Sequence, residues 1–170
     1  MKLVIFGCVA VFALAASADA ADGLFFREDT RDIPPALPIT QKHISNPDLI
    51  LGLHGPGKTG IKKSYHESTK NDPHYIWSGQ CKGNWAVSLA KKNATADLSG
   101  AQAQIRMRTK NYMRTVYVIL KTPGGWLVSN QSTGSSREWQ SIILRTSDMS
   151  WSKLDIASVT RGDRVTKPDL

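Results

Sequence analysis

The stretch Gln102-Ala-Gln-Ile-Arg-Met-Arg108 decides the fold class, because its apolar and polar side chains alternate without a break. Positions 103, 105 and 107 are apolar, whereas the even-numbered positions carry amide or guanidinium groups. Side chains of an extended chain point alternately to its two faces, so this pattern predicts a β-strand with one face on a core and the other in water. The wet face then presents a row of polar groups that can bind a polar ligand.

Short runs of the same kind recur on both sides of this stretch, with turn residues between them. Strands are predicted at residues 48–53, 75–78, 85–89, 102–108, 115–121, 126–129 and 138–145. No run has a helical period, so the pattern favours an all-β, antiparallel β-sandwich of the jelly-roll kind. Residues 54–74 are expected to form one long loop and residues 154–156 a closing turn. No strand is recognised after that turn, which predicts a sandwich that lacks its last strand.

The first twenty residues have the pattern of a secretory signal peptide. Lys2 precedes an apolar run over residues 3–15, and Ala18-Asp-Ala20 fits a small-residue cleavage site. A membrane helix needs roughly 20 apolar residues, and this run ends too early. We therefore expect a signal peptide at 1–20, an extended proline-containing arm at 21–47 and a single domain at 48–170. The protein is expected to be secreted or periplasmic, without a transmembrane segment after cleavage.

Charge and cysteine content narrow the choice of partners. The formal net charge is +8, and the signal segment contains one lysine and one aspartate, so cleavage leaves this value unchanged. A basic exported protein favours anionic neighbours, such as an acidic polysaccharide or a cell-envelope polymer, although the charge also serves solubility. No specific nucleic-acid partner is expected. Cleavage leaves Cys81 as the single cysteine, which excludes an intrachain disulfide bond.

One segment matches the phosphate-loop pattern GxxxxGK[ST]. It runs Gly52-Leu-His-Gly-Pro-Gly57-Lys58-Thr59. Such a loop needs a helix that begins at the lysine, and here Gly60 and a polar stretch follow instead. We interpret the segment as a glycine–proline turn with a solvated lysine and expect no nucleotide.

The residues that usually carry catalysis or bind metals form no recognisable group. His54, His66 and His74 lie near one another in the chain but not at a zinc-binding spacing, so no metal and no cofactor are expected. Acidic residues are sparse in the strand-rich part, and no two of them are placed as a glycosidase pair: Asp97, Glu138, Asp148 and Asp155. No GxSxG nucleophile motif occurs. No catalytic residue is predicted, and a glycan-cleaving enzyme remains an alternative.

Aromatic residues in the strand-rich part have two possible roles. Trp85 and Trp139 occupy apolar-face positions and are expected in the core. Trp126 follows a Gly-Gly turn and is the better candidate for an exposed platform, together with Tyr117.

Four segments together resemble galactose-binding-like β-sandwich domains of uncharacterised secreted bacterial proteins. They are Asp97-Leu-Ser-Gly100, Ile105-Arg-Met-Arg108, Val118-Ile-Leu-Lys121 and Trp139-Gln-Ser-Ile-Ile-Leu144. The resemblance implies a jelly-roll fold and a role as a carbohydrate-binding module or as an appendage of a glycan-active enzyme.

These observations predict a secreted, non-catalytic domain that binds a carbohydrate or another polar extracellular ligand. The predicted binding residues are Gln104, Arg106, Arg108, Tyr117 and Trp126. The alternatives are a glycan-cleaving enzyme and a basic scaffold protein associated with the cell envelope.

Overall fold

The computed structural model describes residues 8–15, 23–30, 35–64, 74–78, 82–109 and 115–170. Its regular structure consists of twelve strands and three 3₁₀ turns of three residues each. The strands are β1 (Cys8–Ala15), β2 (Leu24–Glu28), β3 (Leu49–His54), β4 (Lys62–Ser64), β5 (Tyr75–Trp77), β6 (Ala86–Lys91), β7 (Gln102–Arg108), β8 (Tyr117–Thr122), β9 (Gly125–Ser132), β10 (Gln140–Arg145), β11 (Trp151–Asp155) and β12 (Thr160–Val165).

Every strand pairing in the described residues is antiparallel, and no α-helix occurs among them. The predicted all-β antiparallel class is therefore confirmed. The sheets have six, four and two strands and are open rather than closed. Within the same residues, no helix has the length and apolar character that a membrane crossing requires.

The six-stranded sheet has the order β10-β7-β1-β5-β4, with β2 also paired to β1. Strand β7 shows the predicted alternation: Ala103, Ile105 and Met107 are buried, whereas Gln104 and Arg106 are exposed. The buried side chains join the main core, which also contains apolar residues of β3, β5 and β6. The polar side chains therefore line the outer face of this sheet.

The remaining strands form a four-stranded sheet, β12-β11-β9-β8, and a two-stranded ribbon, β3-β6. Consecutive residues Leu127 and Val128 of β9 are both buried but belong to different clusters, so the four-stranded sheet has apolar contacts on both faces. The ribbon lies between two cores, because Val87 packs in the main core and Ala86 packs with Val128.

The predicted ending of the fold was wrong. Residues 154–156 were expected to form a closing turn, but Leu154 lies within β11, and β12 follows it as a further strand. Strand β12 has the sequence Thr-Arg-Gly-Asp-Arg-Val and is largely exposed, so it lacks the apolar alternation by which a strand is recognised. It is held by backbone pairing with β11 at the edge of the sheet.

The stretch 54–74 also differs from the predicted long loop. It contains β4, which pairs with β5, and a 3₁₀ turn at Lys58–Gly60. This turn occupies the position where a phosphate loop begins its α-helix. Ile61 follows it and is fully buried, so the chain goes directly into a strand. Residues 65–73, with His66, and residues 79–81, with Cys81, lie outside the described part of the chain.

Two strands lie in the segments predicted to be signal peptide and arm. Strand β1 pairs with β7 on one side and with β2 and β5 on the other. Strand β2 is connected to the domain by Glu28, whose buried carboxyl group accepts hydrogen bonds from the backbone N–H groups of Thr30, Ser45 and Asn46. The division into signal peptide, arm and domain stays a prediction.

A basic aromatic sheet face as the candidate functional site

The outer face of the six-stranded sheet is assembled first from β7 and β10. Their register places Gln104 opposite Ile143 and Arg106 opposite Ser141. Directly paired residues of neighbouring strands project from the same face of a sheet. The predicted residues Gln104, Arg106 and Arg108 therefore share one surface with residues of β10 that are distant in sequence.

Trp139, immediately before β10, lies on this outer face. Its ring centroid is 4.8 Å from Cζ of Arg108 and 5.9 Å from Cζ of Arg106. The ring of Tyr75 contacts it as well, with centroids 5.5 Å apart. The prediction that Trp139 belongs to the core was wrong: the residue is partly exposed and outside the core clusters. The β7–β10 register explains the difference. It pairs Gln140 with Met107, so one position further Trp139 lies opposite Arg108, whose side chain belongs to the outer face.

A second cation–aromatic pair lies further along the same face. Cys8 of β1 pairs with both Arg108 and Trp77, and Trp77 pairs in turn with Lys62. These positions form one row across the sheet, in which Arg108 and Trp77 are separated by two strand spacings, about 10 Å. Nζ of Lys62 lies 4.2 Å from the ring centroid of Trp77.

We call this surface the basic aromatic face and define it by Lys62, Trp77, Gln104, Arg106, Arg108 and Trp139. Cations over aromatic rings contribute about 0.5–1 kcal/mol at exposed sites, so the contacts orient the side chains without removing their charge.

Arg27 lies on the same side of the sheet, since it pairs with Ala13, which pairs with Gln104. Its guanidinium group donates a hydrogen bond to Asp29 and forms an ion pair with it, both at 3.0 Å, and these raise the pKa of Arg27 above its ordinary value.

The structure does not bring the other two predicted binding residues to this face. Tyr117 and Trp126 belong to β8 and β9 of the four-stranded sheet, and both pack on the cluster around Val128. Arg161 lies over Tyr117, with Cζ 5.0 Å from the ring centroid. Lys121 lies near Trp126, with Nζ at 5.8 Å. The predicted set is therefore divided between two surfaces.

Beside Trp126, the structure shows a polar pair that the sequence analysis missed. Nε2 of His54 lies 2.8 Å from Oγ of Ser88, and the imidazole contacts the Trp126 ring with centroids 5.0 Å apart. Burial lowers the pKa of His54 below its ordinary value, and the charges of Lys58 and Lys121 lower it further. The pairing could not be read from the chain, because it depends on the β3–β6 register.

The four carboxyl groups considered for glycan cleavage are exposed, and two of them, those of Asp97 and Asp155, accept hydrogen bonds in local turns. The side chain of Ser99 lowers the pKa of the Asp97 carboxyl group by hydrogen bonding, and the Ser99 backbone N–H, which donates to Oδ1 at 2.9 Å, lowers it further. Asp155 accepts hydrogen bonds from the Ser158 hydroxyl and from Ala157 N–H, and these lower the pKa of its carboxyl group in that order of importance. Over the described ranges, no three His, Cys, Asp or Glu side chains are grouped in a way that could hold a metal ion.

Comparison with protein-family models, with curated proteins and with solved structures finds no match for this chain. The resemblance to galactose-binding-like domains therefore stays an interpretation of the residue pattern.

Proposed function

We propose that this protein is an exported binding domain whose basic aromatic face binds, without cleaving it, a carbohydrate polymer that carries anionic groups. The observation that supports the proposal is the pairing of cations with aromatic rings on one sheet face, Arg106 and Arg108 with Trp139 and Lys62 with Trp77. Arg106 is exposed, and Arg108 and Lys62 are partly exposed. The net charge of +8 supports the same class of ligand.

The chemistry of this face suits a carboxylated sugar chain. An aromatic ring offers an apolar surface to the C–H groups of a sugar, and a guanidinium group donates two parallel hydrogen bonds to a carboxylate. Gln104 adds an amide that can donate to and accept from hydroxyl groups. Because the two cation–aromatic pairs are about 10 Å apart along one row, a polymer can contact both at once.

The fold and location in this proposal follow from the sequence pattern. The domain is a jelly-roll-like β-sandwich, and residues 1–20 carry the signal that directs it to the periplasm or the exterior. Because β1 lies within these residues and joins β7 to β5, the complete basic aromatic face belongs to the uncleaved chain. Cleavage after residue 20 leaves the part on β7 and β10, with Arg106, Arg108 and Trp139. An envelope-associated scaffold that uses only its net charge is the competing function. It differs in its salt dependence, because purely electrostatic attraction is screened at high ionic strength whereas ring stacking is not.

Affinity gel electrophoresis with acidic and neutral polysaccharides tests the proposal. We expect an acidic polymer to retard the protein, and we expect Arg108→Ala to weaken the retardation about tenfold, the loss for one charge-assisted hydrogen bond. Trp139→Ala is expected to weaken it as well, whereas Trp139→Phe retains an aromatic ring and most of the binding.

The matched control is Arg164→Ala, which removes the same charge from an exposed position on β12. Equal losses in Arg108→Ala and Arg164→Ala, both abolished by salt, would assign the binding to net charge and favour the scaffold. No retardation by any polymer would refute the proposal.

A further inference from the structure

One face of the β3–β6 ribbon is not covered by the main core. Residues Gly52 and Ser88 are paired on this face, and His54 is paired with Ala86 beside them. Ala90 and Ile50 continue the face and are exposed, Ile50 by 49% of its surface. The face is therefore a shallow apolar surface with one hydroxyl and one imidazole at its inner end, next to Trp126.

The hydroxyl and the imidazole are placed as a nucleophile and its base. Their 2.8 Å separation is within the range at which a base accepts a hydroxyl proton. Half-burial of His54 favours the neutral imidazole, which is the form that can accept the proton. Ser88 is itself only partly buried, so a small reagent can reach it.

Gly52 is required for this arrangement. A Cβ atom at this position would lie 2.3 Å from Oγ of Ser88 and 2.7 Å from Nε2 of His54, closer than non-bonded atoms approach. The two reacting atoms occupy the space that a side chain at position 52 would fill. The edge contact with Trp126, at an interplanar angle of 62°, also limits rotation of the imidazole.

We infer that Ser88 and His54 form a nucleophile–base pair that accepts acyl groups from carboxylic esters. Oγ of Ser88 attacks the ester carbonyl carbon and passes its proton to Nε2 of His54. The bond from that carbon to the alcohol oxygen then breaks, and the alcohol leaves with the proton. A water molecule, deprotonated by His54, hydrolyses the acyl-serine and releases the carboxylic acid, which returns both side chains to their starting state.

This activity is independent of the basic aromatic face, which lies on another sheet. Among the described residues, no carboxyl group hydrogen-bonds His54, so the imidazole lacks the acidic partner of a full triad. We therefore expect slow turnover, and covalent labelling of Ser88 is the more sensitive measurement.

The test uses the full chain and a fluorophosphonate probe, which forms a phosphonyl ester with an activated serine and releases fluoride. Trypsin cleavage after Lys82 and Lys91 releases residues 83–91, in which Ser88 is the one serine. We expect Ser88 to be labelled at least tenfold faster than Ser147, an exposed serine that donates to Asp148 Oδ1 at 3.0 Å. We also expect His54→Gln to abolish that difference.

Ser88 and Ser147 are compared within the same wild-type protein, so the comparison does not depend on whether a variant folds. A labelling rate at Ser88 no greater than at Ser147 would overturn the inference. So would rapid labelling that is unchanged in a folded His54→Gln variant. We also expect the protein to hydrolyse 4-nitrophenyl acetate and the Ser88→Ala variant to lose this activity. Labelling and hydrolysis are both measured without polysaccharide, so their failure is distinguishable from a failure of the proposed binding function.

Discussion

Replacement of Glu28 tests how the N-terminal strand is attached to the domain. The side chain is 2% exposed, and its two carboxyl oxygens accept three backbone hydrogen bonds. Thr30 N–H donates to Oε1 at 2.5 Å and Ser45 N–H to the same oxygen at 3.0 Å, while Asn46 N–H donates to Oε2 at 2.8 Å. Two of these donors follow Glu28 by 17 and 18 residues, so the carboxyl group joins β2 to the segment before β3.

The expected loss follows from counting the donors left without a partner. Glu28→Ala removes both acceptor oxygens and leaves three N–H donors without their partner, which at about 1 kcal/mol each lowers the free energy of unfolding by about 3 kcal/mol. Glu28→Gln keeps one carbonyl oxygen for Thr30 and Ser45 but turns an amide N–H₂ group toward Asn46. We expect a loss of about 1–2 kcal/mol for that variant.

Urea denaturation of wild type, Glu28→Ala and Glu28→Gln measures these losses of unfolding free energy. Hydrogen exchange shows which part of the chain is affected. The amides of Ser45 and Asn46 should exchange faster in Glu28→Gln, whereas the amide of Leu127 in β9 should not. Glu138→Gln, at an exposed carboxyl group, is the matched control and should change stability by less than about 0.5 kcal/mol. Equal stability of Glu28→Gln and Glu138→Gln would refute this account of the attachment.

Three further changes have expected outcomes. Gly52→Ala places a Cβ against Ser88 and His54, so we expect a loss of about 1–3 kcal/mol in urea denaturation and slower fluorophosphonate labelling. The pKa of His54 is lower in the folded than in the unfolded chain, so the unfolded chain binds more protons as the pH falls below about 6.5. Stability should therefore decrease in that range, and His54→Gln should flatten the titration. Thr30 has φ +53° and a buried hydroxyl without a hydrogen bond, so Thr30→Gly should raise the thermal midpoint by relieving about 1 kcal/mol of backbone strain.

Each of these has an outcome that contradicts it. Unchanged labelling in Gly52→Ala would mean that the close approach to Ser88 is not maintained in solution. A pH profile of stability that is the same in wild type and His54→Gln would assign the dependence to other groups. A lower midpoint for Thr30→Gly would show that its buried methyl group contributes more than the strain costs.

The inward and outward faces of a strand could be predicted where its own residues alternate between apolar and polar. In β7, alternate residues are apolar and polar, so burial of Ile105 and exposure of Arg106 follow from the period of two. Strand β12 has no such alternation, because both of its faces are largely in water, and it was missed. Strand β12 is held by backbone pairing with β11 and by the side chain of Arg161, which donates to Asn130 and to the Ser129 carbonyl. Neither kind of contact requires an apolar alternation.

The composition of the candidate sites could not be predicted in the same way. Trp139 was assigned to the core from its local pattern, but the β7–β10 register places it over Arg108 on the outer face. His54 and Ser88 are 34 residues apart and meet through the β3–β6 register.

The sequence by itself determined the all-β class and the inward and outward residues of the clearest strand, because the direction of side chains along a strand is a local property of the extended backbone. Only the tertiary structure decided which rings lie beside which cations and which serine lies beside a histidine. The physical reason is that strand register results from the burial and backbone pairing of whole sheets, and a shift of one residue would move every side chain to the opposite face.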